Sequence, residues 1–176
     1  LVVIAVWATI FNPSSSVVNV EPKENVSVAV TGDVMFARKM PNVLSMDSSP
    51  FAGVSDVISN VDLLLVNFEN AATLSGNAVK GDVPLSCDPS YVPLLKANNN
   101  TVASLANNHA LDYGIEGMRD TVQNLKDSDI TPIGAGETED EAHQAVVKEI
   151  NGRKITILNY MDSNNFAEYS YDVMPY

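Results

Sequence analysis

Three short polar groups interrupt otherwise apolar stretches of this 176-residue sequence: Gly32-Asp33, Asn67-Phe68-Glu69 and Asn107-Asn108-His109. Carboxylates, amide oxygens and an imidazole are the donors that a hard or borderline divalent cation accepts. Singly, none of the three is specific. A Gly-Asp pair after a strand is an ordinary turn, a lone Glu69 suits a solvated loop, and Asn before a helix is a favoured cap. Together at one edge of a sheet they would make a metal site, so the elements that carry them decide the matter.

Those elements are legible as alternating short strands and helical segments. Val26–Thr31 (VSVAVT) is expected as a strand ending at Gly32-Asp33. Asp62–Phe68 (DLLLVNF) is an apolar run of the kind buried on both faces of a sheet. Thr101–Ala106 (TVASLA) is a third strand, ending just before Asn107. Between them, Phe51–Asn60 has a helical rhythm with Phe51, Val54, Val57 and Ile58 on one face, and Pro89–Asn98 is also expected to be helical. Ile115–Lys126 is the clearest amphipathic helix, with Ile115, Met118, Val122 and Leu125 at three- and four-residue steps. ITPIGAG reads as a short strand with a glycine turn, and Glu137–Gln144 as a helix with an acidic first turn. The segments flanking Asn151-Gly152 form a hairpin, because Asn-Gly fits the two-residue turn that joins twisted strands. The expected fold class is therefore α/β, a layered sheet with flanking helices. In such a sheet the ligand crevice lies beyond the carboxyl ends of the strands, where all three polar groups stand.

Composition narrows the classes. Apolar residues make up 45% and charged residues 18%, which excludes an intrinsically disordered chain and a polytopic membrane protein. Twenty-two acidic residues against ten basic give a formal charge of −12, which excludes binding to nucleic acid or an anionic bilayer through bulk charge. The single Cys87 excludes an internal disulfide framework and a thiolate-rich zinc site. The apolar run Leu1–Phe11 is too short to cross a bilayer of about 30 Å, yet it suits the core of a signal anchor or signal peptide. A buried β-strand is the competing reading. Residues 12–25 have a tether composition, so the folded part is expected to begin near Val26 and to face away from the cytoplasm. The stretch after Asp162 has neither periodicity nor a cap, and the chain is expected to be the N-terminal part of a larger domain spanning 26–176 here.

GDVMFAR (Gly32–Arg38), DLLLVNFENAAT (Asp62–Thr73) and SLANNHALDYGIEGMRDTVQNL (Ser104–Leu125) resemble the CapA family of poly-γ-glutamate capsule biosynthesis proteins. IGAGETEDEA (Ile133–Ala142) and the hairpin ending KITILNYMD continue the likeness in the same order. The resemblance implies a calcineurin-like metallophosphoesterase fold, membrane-anchored with the domain outside, and one or two divalent ions (Mn, Mg, Fe or Zn). It implies that Asp33 and Asn108 are metal ligands, that Glu69 with Asn67 beside it takes the bridging place, and that His109 contacts substrate and protonates a leaving group. The implied partners are an anionic surface polymer such as poly-γ-glutamate and its membrane synthase, without nucleic acid.

Three departures qualify the likeness. Met35 stands where the superfamily's Asp-x-His carries histidine, Asn67-Phe68-Glu69 replaces a Gly-Asp pair, and the later histidine ligands have no counterpart. The remaining histidine, His143, lies in the expected Glu137–Gln144 helix and reads as a surface residue. Residues beyond this chain would have to complete the ion site, so activity of the chain alone is not expected. Arg38 can bind a phosphate or a γ-glutamyl carboxylate through its fork, with a surface salt bridge as the equal alternative. Asp112 can orient His109, but capping the Ile115 helix is the preferred expectation. Three functions follow from these readings: polymer assembly with a metallohydrolase-type site, a generic metal-dependent phosphoesterase, or a scaffold without catalysis.

Overall fold

A computed structural model describes the backbone of residues 3–7 and residues 25–43, 50–79 and 82–162. Four strands, β2 (Val28–Val34), β3 (Leu63–Phe68), β6 (Thr101–Ser104) and β7 (Thr131–Ile133), form a parallel sheet in the order β2-β3-β6-β7. Three others, β1 (Val3–Trp7), β8 (Val146–Ile150) and β9 (Arg153–Tyr160), form an antiparallel sheet in the order β1-β9-β8. Two two-residue strands, β4 (Ala71–Ala72) and β5 (Ser86–Cys87), pair on their own. The layered α/β expectation holds.

The continuous apolar run of β3 explains the layering. All six of its residues are buried, because it lies between two layers. With a side-chain period of two, Leu64, Val66 and Phe68 join the cluster on the helical side, with Phe36, Val92, Leu95 and Leu125. Leu63 and Leu65 turn the other way and meet Ile150, Ile155 and Ile157 of the antiparallel sheet. Each fully buried aliphatic side chain of this kind contributes about 1.5–3 kcal/mol.

The helical layer contains α1 (Ser55–Ile58), α2 (Gly114–Asp127) and a 3₁₀ segment at Pro89–Leu95, and the one-turn helix α3 (Glu139–Ala142) lies between β7 and β8 in the chain. Of the expected α2 face, Met118 and Leu125 are buried, while Ile115 and Val122 are half-buried. The α2 helix is also tied to β4. Thr121 Oγ1 accepts from the Ala72 amide at 2.8 Å, and Asn124 Nδ2 donates to Ala72 O at 3.1 Å.

Several expectations need correction. The expected Phe51–Asn60 helix is a 3₁₀ turn (Ala52–Val54) and one turn of α1; Phe51 and Ile58 are buried, but Val54 and Val57 are exposed. The Glu137–Gln144 helix shortens to α3, capped by Thr138, whose hydroxyl accepts from the Glu141 amide. The hairpin forms where Asn-Gly predicts it, with Asn151 and Gly152 at φ 52° and 72°, but it joins the second sheet. Val3–Trp7 pairs antiparallel with β9 as backbone, the strand arrangement that competed with a targeting core. Among the described residues no helix is long and apolar enough to cross a membrane. The tether at 12–24 and the tail after Asp162 lie outside the described residues.

Candidate active site

The geometry begins with a bulge in β2. Val30 stands opposite Leu65 and Asp33 opposite Asn67, so Thr31 and Gly32 together face the single residue Val66. One extra residue reverses which face a strand's later side chains occupy. Without it Gly32 would oppose Asn67 and Asp33 would point to the other side of the sheet. With it, Asn67 Nδ2 donates to Asp33 Oδ1 at 2.8 Å. Asp33 thus lies within the strand and not after it, and its carboxylate is solvent-exposed.

From Asn67 the contacts run to the end of β6. Asn107, 2% exposed, donates through Nδ2 to Asn67 Oδ1 at 3.1 Å and to Phe68 O at 3.0 Å. Its own Oδ1 accepts the amide of His109 at 3.0 Å. One buried carboxamide therefore fixes the end of β3 and starts the turn that carries the imidazole. Three successive parallel strands deliver Asp33, Asn67 and Asn107 to one carboxyl edge, as the position of the polar groups required.

The His109 ring lies between two carboxylates and is hydrogen-bonded to one of them. Its Nδ1 is 2.7 Å from Asp112 Oδ2, and its Nε2 is 3.8 Å from Glu69 Oε1. Asp112 Oδ2 also accepts the Leu85 amide at 2.6 Å, and the Asp112 side chain is 0% exposed. A carboxylate on Nδ1 makes that nitrogen the donor and leaves Nε2 to face Glu69 and the edge of the sheet. The stronger expectation for Asp112 is overturned: α2 has Tyr113 as its N-cap with no side-chain cap bond, and Asp112 contacts His109 instead.

The structure thus brings together Asp33, Asn67, Glu69 and His109. Asn108 is half-buried on the same turn, but the link to Asn67 comes from its neighbour Asn107. Arg38 is exposed on the loop leaving β2, with its backbone in the left-handed region at φ 61°. His143 is a surface residue, with Nδ1 3.9 Å from Glu139 Oε1. Within the third polar group it is Asn107 that contacts Asn67, and Asp112 orients the imidazole, the lesser of its two expected roles. An amide immediately following the strand run TVASLA is the available signal for Asn107.

The donor chemistry of Asp33, Glu69, Asn67 and the His109 imidazole suits a hard or borderline divalent ion. The number of donors is short: among the described residues no three His, Cys, Asp or Glu side chains form a group able to hold a metal. An imidazole braced by a buried carboxylate is competent by itself to give or take a proton at Nε2. A separate groove of about 1050 Å³ between α2, β7 and β8 is lined by Arg119, Gln123 and Lys148 among others, and by none of the edge residues.

Residues 27–174 match the family described as bacterial capsule synthesis protein PGA_cap. A capsule biosynthesis protein CapA from Bacillus anthracis is 31% identical over 171 residues, covering 93% of this chain and 42% of that protein. A PGA biosynthesis protein CapA from Bacillus subtilis (strain 168) is 32% identical over 142 residues, 78% of this chain and 37% of its own length. A probable polyglutamine synthesis accessory protein from Mycobacterium tuberculosis is 38% identical over 90 residues, 49% of this chain and 24% of its own. The chain spans less than half the length of these relatives. The matched segment includes every strand of the parallel sheet and the whole Asp33-to-Asp112 edge, and the chain belongs to the bacterial capsule synthesis family.

Proposed function

We propose that this chain is part of an extracytoplasmic, membrane-anchored protein that assists assembly of poly-γ-glutamate or a related anionic surface polymer through a metallohydrolase-type site. The reading rests on the linked edge Asp33–Asn67–Asn107–His109–Asp112, with Glu69 facing His109 Nε2. Relatives named for capsule, PGA and polyglutamine synthesis support the polymer. The apolar run before a polar tether supports the anchor.

Asp33 and Glu69 would hold a divalent ion, with Asn67 and Asn108 as oxygen donors and further ligands from the rest of the full-length protein. Such an ion supplies positive charge to an anionic substrate and acidifies bound water. The protein's own residues do the remaining work. Asp112 holds the Nδ1 proton, so that Nε2 first takes up a proton and then delivers it to the departing group, a contribution typically of about 10²–10⁴-fold. Arg38 receives a carboxylate or phosphate on the loop beside Asp33. In a chain of net charge −12, local cations are needed to accept a polyanion.

The test uses the full-length protein in cells that make the polymer. Asp33→Ala and His109→Ala are each expected to abolish polymer assembly while the protein still accumulates. Full polymer yield from both would overturn the reading. Met35, standing where the wider superfamily carries a histidine, favours a second reading, a scaffold without catalysis. Calorimetric titration of the intact protein with Mn²⁺ separates the two, since a scaffold binds none.

A further inference from the structure

We infer that Asn159, on β9 of the antiparallel sheet, is a positioning residue for the candidate site on the parallel one. Its side chain is 4% exposed. Its Oδ1 accepts two bonds from the end of β6, from Ser104 Oγ at 2.8 Å and from the Ala106 amide at 2.9 Å. Ala106 immediately precedes Asn107, whose carboxamide holds Asn67, Phe68 and the His109 amide. Leu105 is pinned from the other side by Ile133 O at 2.9 Å. The strand end that launches the imidazole is therefore clamped between β7 and Asn159.

Two further observations show that the oxygen is what matters. Asn159 Nδ2 is buried and has no hydrogen-bond partner among the described residues. Leaving a buried donor unmet is unfavourable, and it is tolerated here where the same side chain places an acceptor over two donors. Opposite it, Gly134 adopts φ 84°, and a Cβ there would collide with Asn159 Oδ1 and lie 2.9 Å from Ala106 Cβ. The glycine opens the space that the amide occupies.

The inference rests on reading the edge as a working site, but its test reads geometry alone. In the full-length protein, Asn159→Ala is expected to speed amide hydrogen exchange at Ala106 and His109 by at least about tenfold, beyond any change in the β3 amides that report global opening. The His109 Nδ1 proton resonance should move with it. Asn159→Asp keeps the acceptor and exchanges the Nδ2 donor for a second carboxylate oxygen, so Ala106 and His109 stay protected relative to the β3 amides even where the buried carboxylate lowers global stability. Ser104→Ala removes one of the two donors, lowers thermal stability and leaves both amides protected. Unchanged exchange in Asn159→Ala, or a rise no larger than in β3, would overturn the inference. Should Asn159→Ala not fold, Asn159→Asp carries the test, and lost protection there overturns it. Polymer assembly that survives Asp33→Ala and His109→Ala would sink the functional reading yet leave the exchange result intact.

Discussion

His109 Nδ1 and Asp112 Oδ2 lie 2.7 Å apart, and that same carboxylate oxygen takes the amide of Leu85 at 2.6 Å. One buried group thus orients the imidazole and anchors the segment entering β5. Asp112→Asn preserves shape but removes charge, so both bonds weaken and the imidazole loses its fixed tautomer. We expect polymer assembly to fall by at least about tenfold with only a modest loss of stability. Asp112→Ala leaves the buried Leu85 amide without an acceptor and should cost a further 1–3 kcal/mol, roughly. Denaturant titration of both variants, beside polymer yield, separates the effects. Equal yield from Asp112→Asn and the parent would remove Asp112 from the mechanism.

Asn107 and Asn108 are adjacent, yet they should respond differently to truncation. Asn107→Ala breaks three bonds made by a side chain in a residue only 2% exposed, and it leaves Phe68 O and the His109 amide unmet. A loss of about 2–4 kcal/mol is expected, towards the top of the range for point changes. Asn108→Ala, on the same turn, should instead weaken Mn²⁺ binding by the full-length protein. Urea midpoints for Asn107→Ala and calorimetric Mn²⁺ titration of Asn108→Ala check the two expectations. An unchanged midpoint for Asn107→Ala would contradict the bonds its carboxamide makes to Asn67, Phe68 and His109.

What was legible in the sequence was whatever local chemistry dictates. The run Leu63–Phe68 could only be a strand covered on both faces, and Asn151-Gly152 could only be a tight turn. Four apolar positions were too few to specify the Phe51–Asn60 helix, where Gly53 and the absence of a side-chain cap leave a single α turn. Nothing local says which sheet a hairpin joins, so the placement of β8 and β9 depended on distant partners. The same limit hid the site's detail. The β2 bulge exists only relative to β3, and the choice of Asn107 over Asn108 depends on which amide faces Asn67. Asp112 sits three residues past His109 at a helix entrance, where capping is the commoner role for Asp.

Arg38 offers a test that separates backbone from side chain. At φ 61° a residue with a Cβ is strained, whereas glycine is not. Arg38→Gly should raise stability by up to about 1 kcal/mol relative to Arg38→Ala, which keeps the strain. Both lose the guanidinium and should weaken polymer assembly alike. A positive shift in melting temperature with a matched loss of function would mark a residue retained for its charge. Parent-level function in both variants would make Arg38 an ordinary surface cation.

Cys87 supplies a prediction about pH and reactivity. Burial pushes its thiol up to about 12, against an ordinary value of 9.0, and the weak bond from Asn70 Nδ2 at 3.2 Å does not offset that. The folded state therefore holds the proton more tightly than the unfolded chain. This contribution to stability is fully present below pH 9 or so, and is lost as pH rises towards about 12, with a slope of at most about 1.4 kcal/mol per unit. Cys87→Ala removes that slope, because alanine does not titrate. Native protein at pH 8 should resist iodoacetamide until denaturant opens the core, since only the thiolate reacts. Rapid alkylation without denaturant would mean that β5 opens locally, and with it the Leu85 amide that helps hold Asp112 in place.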